Sequence, residues 1–163
     1  MKKICILFLL ITSTVTAQKK LDKLLNTWNT RNVPYISVQT LALPKTEAIL
    51  LDAREPKEYE VSHLKDAIYV GYNKFKLKET VAKLPKDKDA KIVVYCSLGV
   101  RSETVAHKLI EAGYTNVYNL YGGIFKWKNN NFKVVDTLGN TTEKVHAFDK
   151  KWGKYLKEGK KVY

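Results

Sequence analysis

Ile92-Val93-Val94-Tyr95-Cys96-Ser97-Leu98-Gly99-Val100-Arg101-Ser102 is the stretch that decides the fold. Its first four residues are apolar without a break, the pattern of a strand buried on both faces. From Ser102 to Ala112 the pattern turns helical, with Val105, Leu109 and Ala112 on one face and Gly113 as a natural stop. Between strand and helix lies Cys96 to Arg101. A cysteine placed there sits where backbone N–H groups converge and the helix dipole favours negative charge. Such surroundings lower a thiol pKa and make a thiolate. Gly99 lets the loop curl tightly. Arg101 closes it, either to contact an anionic substrate or to tie the loop to the scaffold through a carboxylate.

Outward from this stretch, short strands alternate with helices. Tyr35 to Val38, Glu47 to Ala53, Ala67 to Val70 and Asn116 to Leu120 read as strands. Pro56 to Val61, Lys76 to Leu84 and Ile124 to Lys128 read as helices, the last entered through Gly122-Gly123. This alternation predicts an α/β fold with a central parallel sheet between helices. Leu21, Leu24, Leu25 and Trp28 space a short helix within residues 18–31. At the far end, Val145, Phe148, Trp152, Tyr155 and Leu156 predict an amphipathic helix that starts near Thr141 and ends near Gly159. It is expected to pack on the domain, with Lys150, Lys151, Lys154 and Lys157 facing solvent.

Met1-Lys2-Lys3, the apolar run Ile4 to Val15 and the small residues up to Ala17 form the pattern of a cleaved secretory leader. The run is shorter than the ~20 residues that cross a bilayer. A retained N-terminal anchor is the alternative; the placement of Ala17 favours cleavage. The expectation is an exported protein, periplasmic or secreted, that does not span a membrane. Cys5 lies within the leader, so cleavage leaves Cys96 as the one cysteine, with no internal disulfide available.

The formal net charge is +13, carried almost wholly by lysine, since Arg31, Arg54 and Arg101 are the only arginines. Long-range attraction of anions follows. No basic–aromatic module or recognition helix accompanies the charge, so nucleic acid is not an expected partner. His63, His107 and His146 are scattered and do not form a metal-ligand pattern with one cysteine.

Five segments together resemble the rhodanese-like family: Leu51 to Glu60, His63 to Ile68, Cys96 to Ser102, Ala112 to Val117 and Gly122 to Trp127. The resemblance covers roughly residues 35–130, all five in order. It implies a three-layer rhodanese fold over 35–130, after a leader (1–17) and a helical extension (18–34), and before a C-terminal extension (131–163). It implies sulfur transfer through a persulfide on Cys96, cradled by the backbone of Ser97, Leu98, Gly99, Val100, Arg101 and Ser102, with neither a metal nor an organic cofactor. The donor is thiosulfate or a persulfide, and the acceptor cyanide or a thiol, including a thiol on a protein. Related phosphatases on this fold carry one more residue between cysteine and arginine than the four here, which favours sulfur over phosphate.

Ser97 and Leu98 are neutral where some thiosulfate-using relatives carry a basic residue. Lys65-Asp66 replaces the usual Pro-Gly of the turn after the histidine. Asp52 and Arg54 are supporting candidates at the same sheet edge: Asp52 to orient the loop, Arg54 to reach an anionic donor or to pair with Glu58. Two alternatives stay open beside a free-standing enzyme. One is a sulfur carrier that works only with a protein partner; the other is a non-catalytic binding module.

Overall fold

The computed structural model describes residues 19–30 and 32–163, in two compact units that divide after Arg31. The expected leader lies outside the described residues. In the first unit, residues 19–28 form helix α1.

The second unit is built on a parallel sheet of five strands: β1 (Tyr35–Ile36), β2 (Ile49–Asp52), β3 (Ile68–Tyr69), β4 (Ile92–Tyr95) and β5 (Val117–Leu120), in the order β1-β5-β4-β2-β3. Helices α2 (Val38–Leu41), α3 (Pro56–Val61), α4 (Leu77–Val81), α5 (Arg101–Glu111) and α6 (Gly123–Asn129) connect and cover it. The continuous apolar run of β4 has the structural consequence expected of it. Ile92, Val93, Val94 and Tyr95 are all fully buried in the middle of the sheet. Burying each such side chain contributes about 1.5–3 kcal/mol relative to exposure. Ile92 and Val94 share a core with Leu51, Val105, Leu109 and Val117, which seats α5 on the sheet.

Register aligns the strand ends. Asp52 pairs with Tyr95, and Val94 with Asn119, so β2, β4 and β5 finish at one edge. In open parallel sheets that carboxyl edge is where ligands bind. The turn that departs from Pro-Gly is closed by Asp66 at φ 62°, a left-handed position that Asp tolerates better than most residues.

The long C-terminal helix is not formed. Thr141–Thr142 is a strand (β7) paired antiparallel with β6 (Val134–Val135). Lys144–His146 (β8) pairs in parallel with Lys160–Val162 (β9). Only Lys150–Gly153 (α7) is helical, one turn capped by the Asp149 carboxylate accepting from Trp152 N–H. The helical spacing is an accident of this segment. Val145 and His146 are in β8, whose pairing with β9 replaces a helical ladder, and Val145, His146 and Ala147 are buried in succession. Phe148 follows at φ 65°, outside helical geometry, and a Cβ at Gly153 would stand 2.8 Å from the Tyr163 hydroxyl. The lobe is tied to α6. Lys128 reaches Glu143 at 2.8 Å, and Asn129 donates to the Tyr155 carbonyl and accepts from Lys157 N–H. Among the described residues, no helix is long and apolar enough to cross a membrane.

Candidate active site

Cys96 leaves β4 at the carboxyl edge and its side chain is buried. Gly99 N–H donates to Sγ at 3.1 Å, and the Ser102 hydroxyl lies 3.5 Å away. Gly99 itself stands at φ 104°, which a side chain would resist. The loop is held from below by α6. Ile124 N–H donates to the Cys96 carbonyl and Phe125 N–H to the Ser97 carbonyl, at 2.9 and 3.1 Å. Gly123 makes that approach possible, because a Cβ there would collide with the backbone of Cys96 and Ser97.

Arg101 is the residue that ties the loop to the scaffold. Its Nη1 and Nη2 donate to the two Glu58 oxygens at 2.7 and 2.8 Å, and Nη2 also to the Ser97 hydroxyl at 3.0 Å. The Ser97 hydroxyl in turn donates to Glu58 at 2.8 Å. Glu58 is fully buried in α3. It is positioned there by Pro56 and by a bond from Glu55 N–H, which places a carboxylate in the first turn of the helix. Burial opposes its ionisation, but the bonds and charge of Arg101 prevail and hold its pKa down to about 2.

The same balance operates on the thiol. Burial alone would raise the Cys96 pKa. The Arg101 charge, the Ser102 hydroxyl and N–H, and the Gly99 N–H outweigh it, and the pKa falls below the ordinary thiol value. A buried thiolate with fixed N–H donors is a nucleophile that needs no solvent reorganisation when charge moves onto it.

Asn119 buttresses the arrangement. It is fully buried in β5, donates to the Gly99 carbonyl at 2.8 Å and accepts from the Ser102 hydroxyl at 2.7 Å. Leu98 is buried and Val100 half-buried at the start of α5.

Asp52 and Arg54 do not reach the loop. Arg54 is fully buried, and its Nε and Nη2 bond Asp52 while Nη2 also donates to the Ser62 carbonyl at 2.6 Å. Arg54 is therefore a brace between β2 and the turn after α3. It is fully buried and so does not face an incoming donor, and its hydrogen bonds go to Asp52 two residues before it while Glu58 pairs with Arg101. His63 also braces this turn, stacked on Tyr59 at 3.9 Å and bridged to Val135. His107 lies half-buried on α5 near Glu111. His146 is not helical. It is buried in β8, and burial pushes its pKa below the ordinary imidazole value.

The C-terminal lobe supplies one wall of the site. The Phe148 ring lies 4.9 Å from the Arg101 guanidinium carbon. Phe148 N–H donates to His146 Nδ1 at 3.0 Å, which fixes the left-handed residue in place. Three participants were not singled out from the sequence as site residues: Glu58, Asn119 and Phe148. Asn119 carried a signal, as a lone amide within an apolar strand.

Comparison with known proteins agrees with this geometry. The family model of the rhodanese-like domain matches residues 38–130. The thiosulfate sulfurtransferase GlpE of Coxiella burnetii is 36% identical over 84 residues, covering 52% of this chain and 75% of that protein. The tRNA uridine(34) hydroxylase of Hamiltonella defensa is 35% identical over 114 residues, covering 69% of this chain but 32% of that protein, so the chain spans about a third of that relative's length. Among solved structures, a rhodanese-related protein from Thermoplasma volcanium superimposes with TM-score 0.55 at 27% identity, over 63% of this chain and 97% of that one. A thiosulfate sulfurtransferase from Pseudomonas aeruginosa gives 0.57 at 26%, over 77% of this chain and 24% of that one. With the sheet order, the cysteine loop and the family match in agreement, this chain belongs to the rhodanese-like family.

Proposed function

We propose that the protein is a sulfurtransferase that carries sulfane sulfur on Cys96. The observation that carries this reading is the thiol itself, buried with Gly99 N–H on Sγ and with Arg101 fixed by Glu58. In the first half-reaction the thiolate attacks the donor's outer sulfur. The Sγ–S bond forms, the donor's S–S bond breaks, and its electron pair leaves on sulfite (from thiosulfate) or on a thiolate (from a persulfide). In the second, cyanide or a thiolate attacks the outer sulfur of the Cys96 persulfide and returns the Sγ thiolate. The N–H donors of the loop meet negative charge on sulfur in both halves. The leader-like residues 1–17 support a place of action outside the cytoplasm.

Intact mass measurement of the reduced chain after thiosulfate or persulfide treatment tests the reading, together with thiocyanate formation when cyanide is added. The expected result is a gain of one sulfur atom, lost on cyanide addition and absent from Cys96→Ser. Failure of every donor to load Cys96, or turnover that survives Cys96→Ser, overturns it.

A further inference from the structure

The geometry points to Phe148 as a specificity-determining residue that turns the Cys96 loop toward persulfide donors (R–S–SH) and away from thiosulfate. The inference rests on the sulfur-transfer function proposed above and names the donor class for it.

Thiosulfate brings a sulfonate and two negative charges toward a thiolate. Its approach must be offset by a cation with hydrogen-bond donors to spare. Among the described residues, Arg101 is the only guanidinium at the loop, and its Nη1–Nη2 edge is engaged. Nη1 and Nη2 both face Glu58, with Nη2 also on Ser97. Glu58 is fully buried and carries the countercharge, so the pair presents less net positive charge to an incoming dianion than a lone arginine would. The Phe148 ring then covers a face of the guanidinium at 4.9 Å. Arg54 cannot substitute, being fully buried on Asp52. The side chains at the first two loop positions, Ser97 and Leu98, are neutral and buried.

Phe148 is not an incidental neighbour. It is one of three described non-glycine residues with positive φ, at 65°, a conformation a bulky side chain adopts only when its surroundings impose it. The imposing contacts are visible: His146 Nδ1 takes its N–H, and Asp149 next to it caps α7. The lobe thus presents a ring, 39% exposed, at the loop. An apolar rim tolerates the thiol portion of a persulfide and offers nothing to a sulfonate.

A persulfide needs no oxyanion contact. The Cys96 thiolate attacks its outer sulfur, and the Sγ–S bond forms as the donor's S–S bond breaks. The electron pair leaves as RS⁻, and the proton of the outer sulfur stays on the new Cys96 persulfide. The persulfide can be borne by a small thiol or by a protein cysteine.

The test follows sulfur loading of Cys96 in the full chain by quenched intact mass measurement, with thiosulfate, glutathione persulfide and albumin persulfide as donors. Wild type is expected to load from at least one persulfide with kcat/KM about tenfold or more above thiosulfate, the cost of one or two missing charge-assisted hydrogen bonds. Whichever persulfide is faster identifies the source. In Phe148→Ala the ratio of thiosulfate to persulfide loading rises, through a lower KM for thiosulfate. Phe148→Leu, which keeps apolar packing but removes the ring, shifts the ratio in the same direction and serves if the alanine variant does not fold. Thiosulfate loading equal to or faster than both persulfides, or a ratio unchanged in the folded variants, overturns the inference and leaves sulfur transfer standing. No loading from any of the three donors overturns sulfur transfer itself.

Discussion

Arg101 and Glu58, forty-three positions apart in the chain, meet through two hydrogen bonds of 2.7 and 2.8 Å and hold the cysteine loop against α3. The pair is asymmetric: Glu58 is fully buried while the Arg101 side chain keeps 16% exposure. The carboxylate therefore depends on the arginine more than the reverse, and Cys96 depends on both.

Arg101→Gln removes the largest influence that lowers the Cys96 pKa. The thiol pKa is expected to rise, so the thiolate fraction at neutral pH falls. Alkylation rate against pH reads this directly, with the midpoint moving to higher pH. A midpoint that stays in place would show that the backbone donors suffice. The variant also strands a buried carboxylate, at a cost of roughly 3–5 kcal/mol.

The Glu58 pKa sets an acid limit on stability. It lies near 2 in the folded protein, below the ordinary 4.5. The unfolded chain therefore binds the proton first as pH falls. The contribution is fully present above about 4.5 and is lost as pH drops toward 2, on the order of 3 kcal/mol in all. Urea unfolding of wild type and Glu58→Gln at a series of pH values checks the sign. The gap between them is widest at neutral pH and narrows on acidification.

Much of the fold was legible because it rests on local pattern. Ile92 to Tyr95 could bury on both faces only in the middle of a sheet, and the strand–loop–helix order then set the cysteine at its edge. Pro56 marked the start of α3. The partner of Arg101 was not legible, since nothing local tells a distant carboxylate from a near one, and Arg54 was a nearer claimant for Glu58. The C-terminal lobe was misread for a different reason. Two short strands around a single capped turn place Val145, Phe148, Trp152 and Leu156 at helical spacing, while parallel pairing of β8 with β9 leaves no trace in a window of that length.

Gly123→Ala tests the clamp under the loop. The new Cβ would meet backbone atoms of Cys96 and Ser97, at a φ of 55°. Neither backbone can retreat without breaking the bonds from Ile124 and Phe125. The expected outcome is a loss of about 1–3 kcal/mol in stability. Sulfur loading of Cys96 should fall further than this loss explains at temperatures where the chain stays folded. Wild-type loading in a folded variant would show that the clamp does not position the thiol.

Asn119 offers the sharpest separation of loop geometry from charge. It is neutral, fully buried, and touches the loop only through the Gly99 carbonyl and the Ser102 hydroxyl. Asn119→Leu keeps the volume and removes both bonds, at a cost of about 1–3 kcal/mol. Freed from Asn119, the Ser102 hydroxyl keeps Sγ as a neighbour at 3.5 Å, while Gly99, whose N–H sits on Sγ, loses the bond that Asn119 makes to its carbonyl. The Cys96 pKa is thus expected to move little, because Arg101 is untouched, whereas kcat for sulfur transfer falls with the loss of fixed N–H geometry. Alkylation profiles and steady-state rates measured on the same preparation distinguish the two effects. A thiol pKa that shifts as far as in Arg101→Gln would mean that the loop's shape, rather than the guanidinium, governs the thiolate.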